Sequence, residues 1–143
     1  MEILSTSAQK TEELAKTVAK RIEPGMVLAL YGDLGSGKTT FVRFLVKALG
    51  FDSRVQSPTF VLHRCYTKSE GVIKTIHHID LYRLALEEEV LDFGLEELLQ
   101  DKSSLVLIEW PELATDLLPD NAIRLRFTTV DENTRNIIVE GLD

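Results

Sequence analysis

Eight consecutive residues, Gly32-Asp-Leu-Gly-Ser-Gly-Lys38-Thr39, fill every defined position of the pattern G-x-x-x-x-G-K-[ST]. Glycines there let a backbone bend around phosphate. Successive amides and a helix N-terminus face the anion, Lys38 neutralises the β and γ oxygens, and the Thr39 hydroxyl can ligate Mg²⁺. The pattern arises by chance in a chain of this length on the order of once in a hundred. A mere strand-to-helix turn would be poorly served by three glycines within six residues, each of which costs conformational entropy on folding.

A phosphate cradle of this kind also needs a carboxylate near the metal, usually at the end of a second buried strand. Leu105-Val-Leu-Ile-Glu109 offers one, and Asp80 another, two residues after His78 on the same face of a strand. Either acid can ligate Mg²⁺ directly or through water, or orient the attacking water. Asp80 also has a bland use as the cap of the Leu81-Tyr-Arg83 turn. An acid directly after four apolar residues is harder to explain without a cation, which favours Glu109 at the metal.

Three further features bear on the chemistry. Ser57-Pro-Thr59 lies where nucleotide switches place a threonine that senses γ-phosphate, although a proline turn entering a strand fits equally well. Trp110 follows Glu109 and reads as a core anchor or as part of a gate or partner contact. His77 and His78 fall on opposite faces of one strand and so form no joint metal site. Asp92-Phe-Gly94 is no kinase motif, because 143 residues cannot hold that fold and the rest of the signature is missing.

The elements that must position these residues follow from periodicity. Thr6 and Gln9 resemble a capping box ahead of a helix over 7–22, stopped by Glu23-Pro-Gly25. Met26 to Tyr31 is an apolar run bounded by glycines, the pattern of a central parallel strand, and Phe41, Phe44, Leu45, Ala48 and Leu49 give a helix ending at Gly50. Strands are expected over 60–66 and 72–79, two short helices split by Gly94 between Ala85 and Gln100, a buried strand over 104–109, and a closing hairpin over 123–127 and 137–139. The fold class is α/β: a three-layer P-loop NTPase sandwich with a mixed, mostly parallel central sheet, its ligand at the carboxyl ends of the strands where Tyr31, Asp80 and Glu109 lie.

Length and composition fit one domain over residues 1–143, 44% hydrophobic and 27% charged, with no window apolar enough to span a bilayer. No secretory signal is evident at the N-terminus, so a cytoplasmic location is expected. Cys65, the single cysteine, excludes an intrachain disulfide and a thiolate metal cluster, and is expected to be at least half-buried. A net charge of −7 disfavours autonomous binding to nucleic acid.

Gly32-Asp-Leu-Gly-Ser-Gly-Lys-Thr-Thr40, Ser57-Pro-Thr-Phe60, His78-Ile-Asp-Leu-Tyr-Arg-Leu84 and Ile108-Glu-Trp110, in this order and spacing, resemble the bacterial TsaE family over nearly the whole chain. The departures are small. Ser36 stands where Ala is frequent, and His77-His-Ile79 replaces an aromatic-His-Phe stretch. The resemblance implies an Mg²⁺-dependent ATPase that supports formation of threonylcarbamoyladenosine at tRNA position 37. Its partners would be TsaD and TsaB, with TsaD transferring the threonylcarbamoyl group and ATP hydrolysis resetting the pair. It places phosphates on Asp33, Leu34, Gly35, Ser36, Gly37 and Lys38, with the nucleotide set extending to Thr40. It assigns Mg²⁺ to Thr39 and Glu109, γ-phosphate sensing to Thr59, catalytic support to Asp80 and Trp110, and a nucleotide contact to Thr11.

Two other classes compete. A small-molecule P-loop phosphotransferase normally carries an arginine-bearing lid, for which no insertion is long enough. A GTP-driven switch lacks its Asn-Lys-x-Asp guanine signature. If the ATPase needs a stimulating arginine, Arg83 could supply it in cis, or a partner could in trans.

Overall fold

The computed structural model describes residues 1–56 and 62–142. Seven strands form one sheet in the order β1-β7-β6-β2-β5-β4-β3. In chain order the elements are β1 (Glu2–Ser5), α1 (Ala8–Ala19), β2 (Val27–Tyr31), α2 (Lys38–Ala48), β3 (His63–Thr67), β4 (Thr75–Asp80), α3 (Glu87–Phe93), α4 (Leu95–Leu99), β5 (Leu105–Glu109), a 3-10 helix (Pro111–Leu117), β6 (Ile123–Thr129) and β7 (Arg135–Glu140). The four central strands β6, β2, β5 and β4 run parallel, while β3 at one edge and β7 and β1 at the other are antiparallel to their neighbours. The expected mixed sheet with a parallel centre is therefore the observed one.

Strand alternation sorts the core into two layers. Leu28 and Leu30 of β2, with Leu105 and Leu107 of β5, pack with Leu14 and Val18 of α1 and Phe41 and Leu45 of α2. Val27, Ala29, Val106 and Ile108 face the other way, onto Val90 of α3, Leu95 of α4 and Ala114 of the 3-10 helix. Both faces of β2 and β5 are thus covered, which explains why these strands read as unbroken apolar runs. Continuing the β5 alternation past Leu107 puts Glu109 on the face that carries α1 and α2. On β4, His78 and Asp80 share that face with Ile76.

Several details differ from the sequence expectations, among them the strand expected over 72–79, which is found at Thr75–Asp80. The α1 helix is capped by Ser7, whose side chain accepts from the Lys10 amide at 3.3 Å, rather than by Thr6. It ends at Ala19, short of Ile22. Strand β1 was not anticipated. Four residues at a sheet edge pair only with the distant β7, so no local pattern announces them. Cys65 is exposed instead of half-buried, because β3 is the outermost strand and its residues 65 and 67 face outward. Residues 60 and 61 of the expected third strand lie outside the described residues.

Candidate functional site

The loop between β2 and α2 is built around two glycines with specific duties. At Gly32 (φ 147°) an added Cβ would lie 2.6 Å from Ser36 Oγ and 2.7 Å from the Phe127 carbonyl oxygen, so only glycine lets the loop pass β6 this closely. Gly37 takes a left-handed conformation (φ 105°) as the N-cap of α2 and brings no side chain to the first turn. The amides of that turn have no partner within the helix, and they point with the positive end of the helix dipole toward the loop.

Ser36 Oγ is buried with no hydrogen-bond partner among the described residues. A buried hydroxyl left this way is costly, and an anion seated in the loop would satisfy it. With the uncapped first turn, this makes the loop fit a phosphate group on its own geometry.

A cleft of about 530 Å³, within the usual range for ligand pockets, opens above the loop. One wall carries Leu34, Gly35, Ser36, Gly37, Lys38, Thr39 and Thr40, with Glu109 also lining the space. The rest of the lining is supplied by Ser5 at the end of β1, by Thr6, Ser7, Ala8 and Thr11 around the start of α1, and by Phe127, Arg135 and Ile137 of the closing hairpin. Thr11 is buried and shares a 2.7 Å hydrogen bond with Ser5 Oγ, so β1 and α1 fix its hydroxyl jointly.

Lys38 is buried at the first position of α2. Its ammonium donates to the Gly32 carbonyl and lies 4.0 Å from the centroid of the Trp110 ring. Burial pulls the Lys38 pKa below its ordinary value, against the upward pull of Glu109 and Asp80 and the weaker pulls of Glu112 and Asp33. Trp110 holds a left-handed backbone (φ 55°) and its ring lies 4.9 Å from that of Tyr82. Asp80 and Glu109 are both buried and are register partners on β4 and β5. Asp80 Oδ1 accepts from the Tyr82 amide at 2.8 Å, fixing the carboxylate at the mouth of the following turn.

Glu109 has a buried partner of its own. His78 Nε2 lies 2.6 Å from Glu109 Oε2, and His78 Nδ1 lies 2.8 Å from the Tyr66 hydroxyl.

The structure thus brings Thr11, Leu34 to Thr40 and Glu109 to one cleft, and ties Asp80 and Trp110 to it through Lys38. Asp33 contributes its carbonyl to the Ser36 amide at 3.1 Å, closing the loop, without lining the cleft. Thr59 lies outside the described residues. Among the described residues no group of three or more His, Cys, Asp or Glu is placed to hold a metal. Thr39 and Glu109 are oxygen donors of the kind Mg²⁺ takes together with substrate phosphates.

Sequence reasoning missed Arg135, whose guanidinium donates to the Gly35 carbonyl at 3.3 Å and to the Asp131 carbonyl at 2.8 Å, buttressing the phosphate loop from β7. No spacing links residues a hundred positions apart. Tyr66 was missed likewise, whereas His78 could have been found from its place two residues before Asp80.

Fold and loop together define a P-loop α/β protein. The family model of "Threonylcarbamoyl adenosine biosynthesis protein TsaE" matches residues 5–137. The tRNA threonylcarbamoyladenosine biosynthesis protein TsaE of Rickettsia felis is 39% identical over 93% of this chain and 75% of its own length. That of Treponema pallidum is 34% identical over 97% and 99%. The crystal structure of Bacillus subtilis YdiB superposes with a TM-score of 0.77 at 28% identity, covering 96% of this chain and 82% of that one. The chain belongs to the TsaE family, and so to threonylcarbamoyladenosine biosynthesis.

Proposed function

We propose that this chain is an Mg²⁺-dependent ATPase that drives turnover of a TsaD and TsaB transferase pair during threonylcarbamoyladenosine formation at tRNA position 37. The observation that carries the ATPase reading is a buried Lys38 at the start of α2, within the electrostatic reach of two in-register carboxylates. Burial costs the ammonium its hydration, and the place where that cost is borne is beside a phosphate-shaped loop and the acid-bearing ends of two strands.

In this reading the amides from Asp33 to Lys38 hold the β and γ phosphates of ATP and Lys38 neutralises their charge. Thr39 Oγ1 and the Glu109 carboxylate would hold Mg²⁺, which supplies Lewis-acid neutralisation of the phosphate oxygens. Asp80, oriented by the Tyr82 amide, is assigned to position the attacking water and receive its proton at a carboxylate oxygen. Trp110 closes over Lys38 and keeps bulk water from the ammonium, which strengthens its attraction for phosphate. Thr11 and the apolar surface of Phe127 and Ile137 form the wall left for the nucleoside.

Partner control is supported by family membership, while Arg135, which lines the cleft, is engaged by the Gly35 and Asp131 carbonyls. P-loop enzymes that receive an arginine in trans gain roughly 10³ to 10⁵ in rate. The test is release of inorganic phosphate from ATP by the purified chain, alone and with purified TsaD and TsaB. Slow release that accelerates steeply with the pair is expected; a rate indifferent to the pair overturns the partner reading, and no release under any condition overturns the ATPase.

A further inference from the structure

Tyr66, His78 and Glu109 form a line of buried polar groups that runs from β3 through β4 to β5 and ends at the cleft. Their exposures are 4%, 0% and 2%. Burying an imidazole and a phenol on a sheet face otherwise built of Ile76 and Leu107 is costly unless each polar atom is satisfied, and here each ring nitrogen has one partner. His78 itself does not line the cleft. Among the described residues it is linked to that space through the carboxylate it touches.

The chain of bonds has a direction. Burial raises the Tyr66 phenol to about 12, so it keeps its proton across the physiological range and has a hydrogen to offer His78 Nδ1, while the carboxylate on the other side of the ring can only accept. A ring that accepts at Nδ1 carries its proton on Nε2, the nitrogen 2.6 Å from Glu109 Oε2. The opposite tautomer would set a lone pair against the carboxylate.

We propose that His78 is a positioning residue for Glu109, and that Tyr66 selects the Nε2–H tautomer with which His78 holds that carboxylate in one orientation toward the cleft. The inference rests on the reading that Glu109 helps to hold the divalent cation, and it adds the two residues that set its aim. Oxygen Oε2 is engaged by His78 at 2.6 Å, which restrains the orientation of a carboxylate that lines the cleft together with Thr39. Losing such an outer partner typically lowers metal affinity or activity by about 10–100-fold.

Two measurements test it. Long-range ¹H–¹⁵N spectra of histidine-labelled, nucleotide-free protein read the tautomer directly, and only three histidines need to be told apart, with His78→Gln giving the assignment. His78 is expected as the Nε2–H form, and Tyr66→Phe is expected to mix the tautomers; an Nδ1–H or doubly protonated ring overturns the relay. Binding of Mn²⁺ in the presence of ADP, followed by electron paramagnetic resonance, then reads the consequence. His78→Leu is expected to weaken Mn²⁺ binding by about 10–100-fold while metal-free ADP binds as before. His78→Gln, whose side-chain amide can still donate to Glu109, should recover most of the loss, and Tyr66→Phe should fall between. If His78→Leu does not fold, the latter two variants decide. Unchanged Mn²⁺ affinity in all folded variants overturns the proposal. A parent protein that binds no Mn²⁺ with ADP overturns the cation reading itself, whereas a wrong tautomer in a parent that does bind overturns the relay alone.

Discussion

Asp80 and Glu109 are direct register partners at the carboxyl ends of β4 and β5, two buried acids side by side on neighbouring parallel strands. Two carboxylates so placed repel one another unless cations share the space, and Lys38 feels both. Their surroundings separate them: Glu109 lines the cleft and touches His78, while Asp80 is braced by the Tyr82 amide.

That separation predicts two different defects. Glu109→Gln removes the charge but keeps the volume, and should raise the Mg²⁺ concentration for half-maximal turnover roughly tenfold or more. Asp80→Asn should leave nucleotide affinity intact and lower kcat by about 10² to 10⁴, the usual worth of a general base. Titrating Mg²⁺ against both variants checks the assignment, which fails if their defects are the same.

The Lys38–Trp110 contact yields an optical prediction. Trp110 is the only tryptophan, and the ammonium 4.0 Å from its ring must redirect toward phosphate when nucleotide binds. Such a contact is worth about 1 kcal/mol, so Trp110→Leu should weaken the positioning of Lys38 modestly. Adding ATP and Mg²⁺ should change the emission of the parent, and Lys38→Met should abolish the response.

Gly32→Ala tests the close approach of the loop to β6. The new methyl would meet the Phe127 carbonyl at 2.7 Å, a backbone atom that cannot step aside cheaply. A loss of about 2–4 kcal/mol is expected, lowering Tm by about 10 °C, together with loss of protection by nucleotide. A variant that melts like the parent contradicts the packing described.

The histidine pair on the opposite sheet face should set part of the acid stability. His63 Nε2 and His77 Nδ1 lie 3.0 Å apart, and burial lowers both pKa values; the neighbouring His77 and His78 lower that of His63 further, while Asp101 opposes the shift at His77. A histidine whose folded pKa lies below 6.5 stabilises the fold fully above 6.5, and that contribution is lost as pH falls through the interval down to the lowered value. Tm should therefore drop below pH 6.5 in the parent and drop less in His63→Phe, which removes one titrating ring beside Phe93. Equal slopes for the two proteins would sink this account.

What could be read in the sequence was what is local. The phosphate loop, the glycines that flank β2 and the acid ending β5 sit within a few residues of the patterns that reveal them, and they stand where expected. The rest of the cleft lining was not legible in that way. Its strand β1 owes its existence to β7, between 130 positions (Ser5↔Arg135) and 136 positions (Glu2↔Ile138) away, and Arg135 reaches Gly35 only because the closing hairpin lies beside the loop. Thr11 was legible through family resemblance alone; its reason in the structure is the bond to Ser5, on the strand that had no local signal. The Ser7 cap in place of Thr6 is a shift of one residue, decided by which hydroxyl meets the first turn.

The most direct measurement of the central claim is a calorimetric titration of non-hydrolysable ATP with Mg²⁺ into the parent and into Lys38→Ala. The parent should bind one equivalent, and the variant, stripped of the ammonium that meets phosphate, should bind at least about tenfold more weakly, a difference of about 1.4 kcal/mol. Equal affinity in the two proteins, or no binding to the parent, would contradict the account.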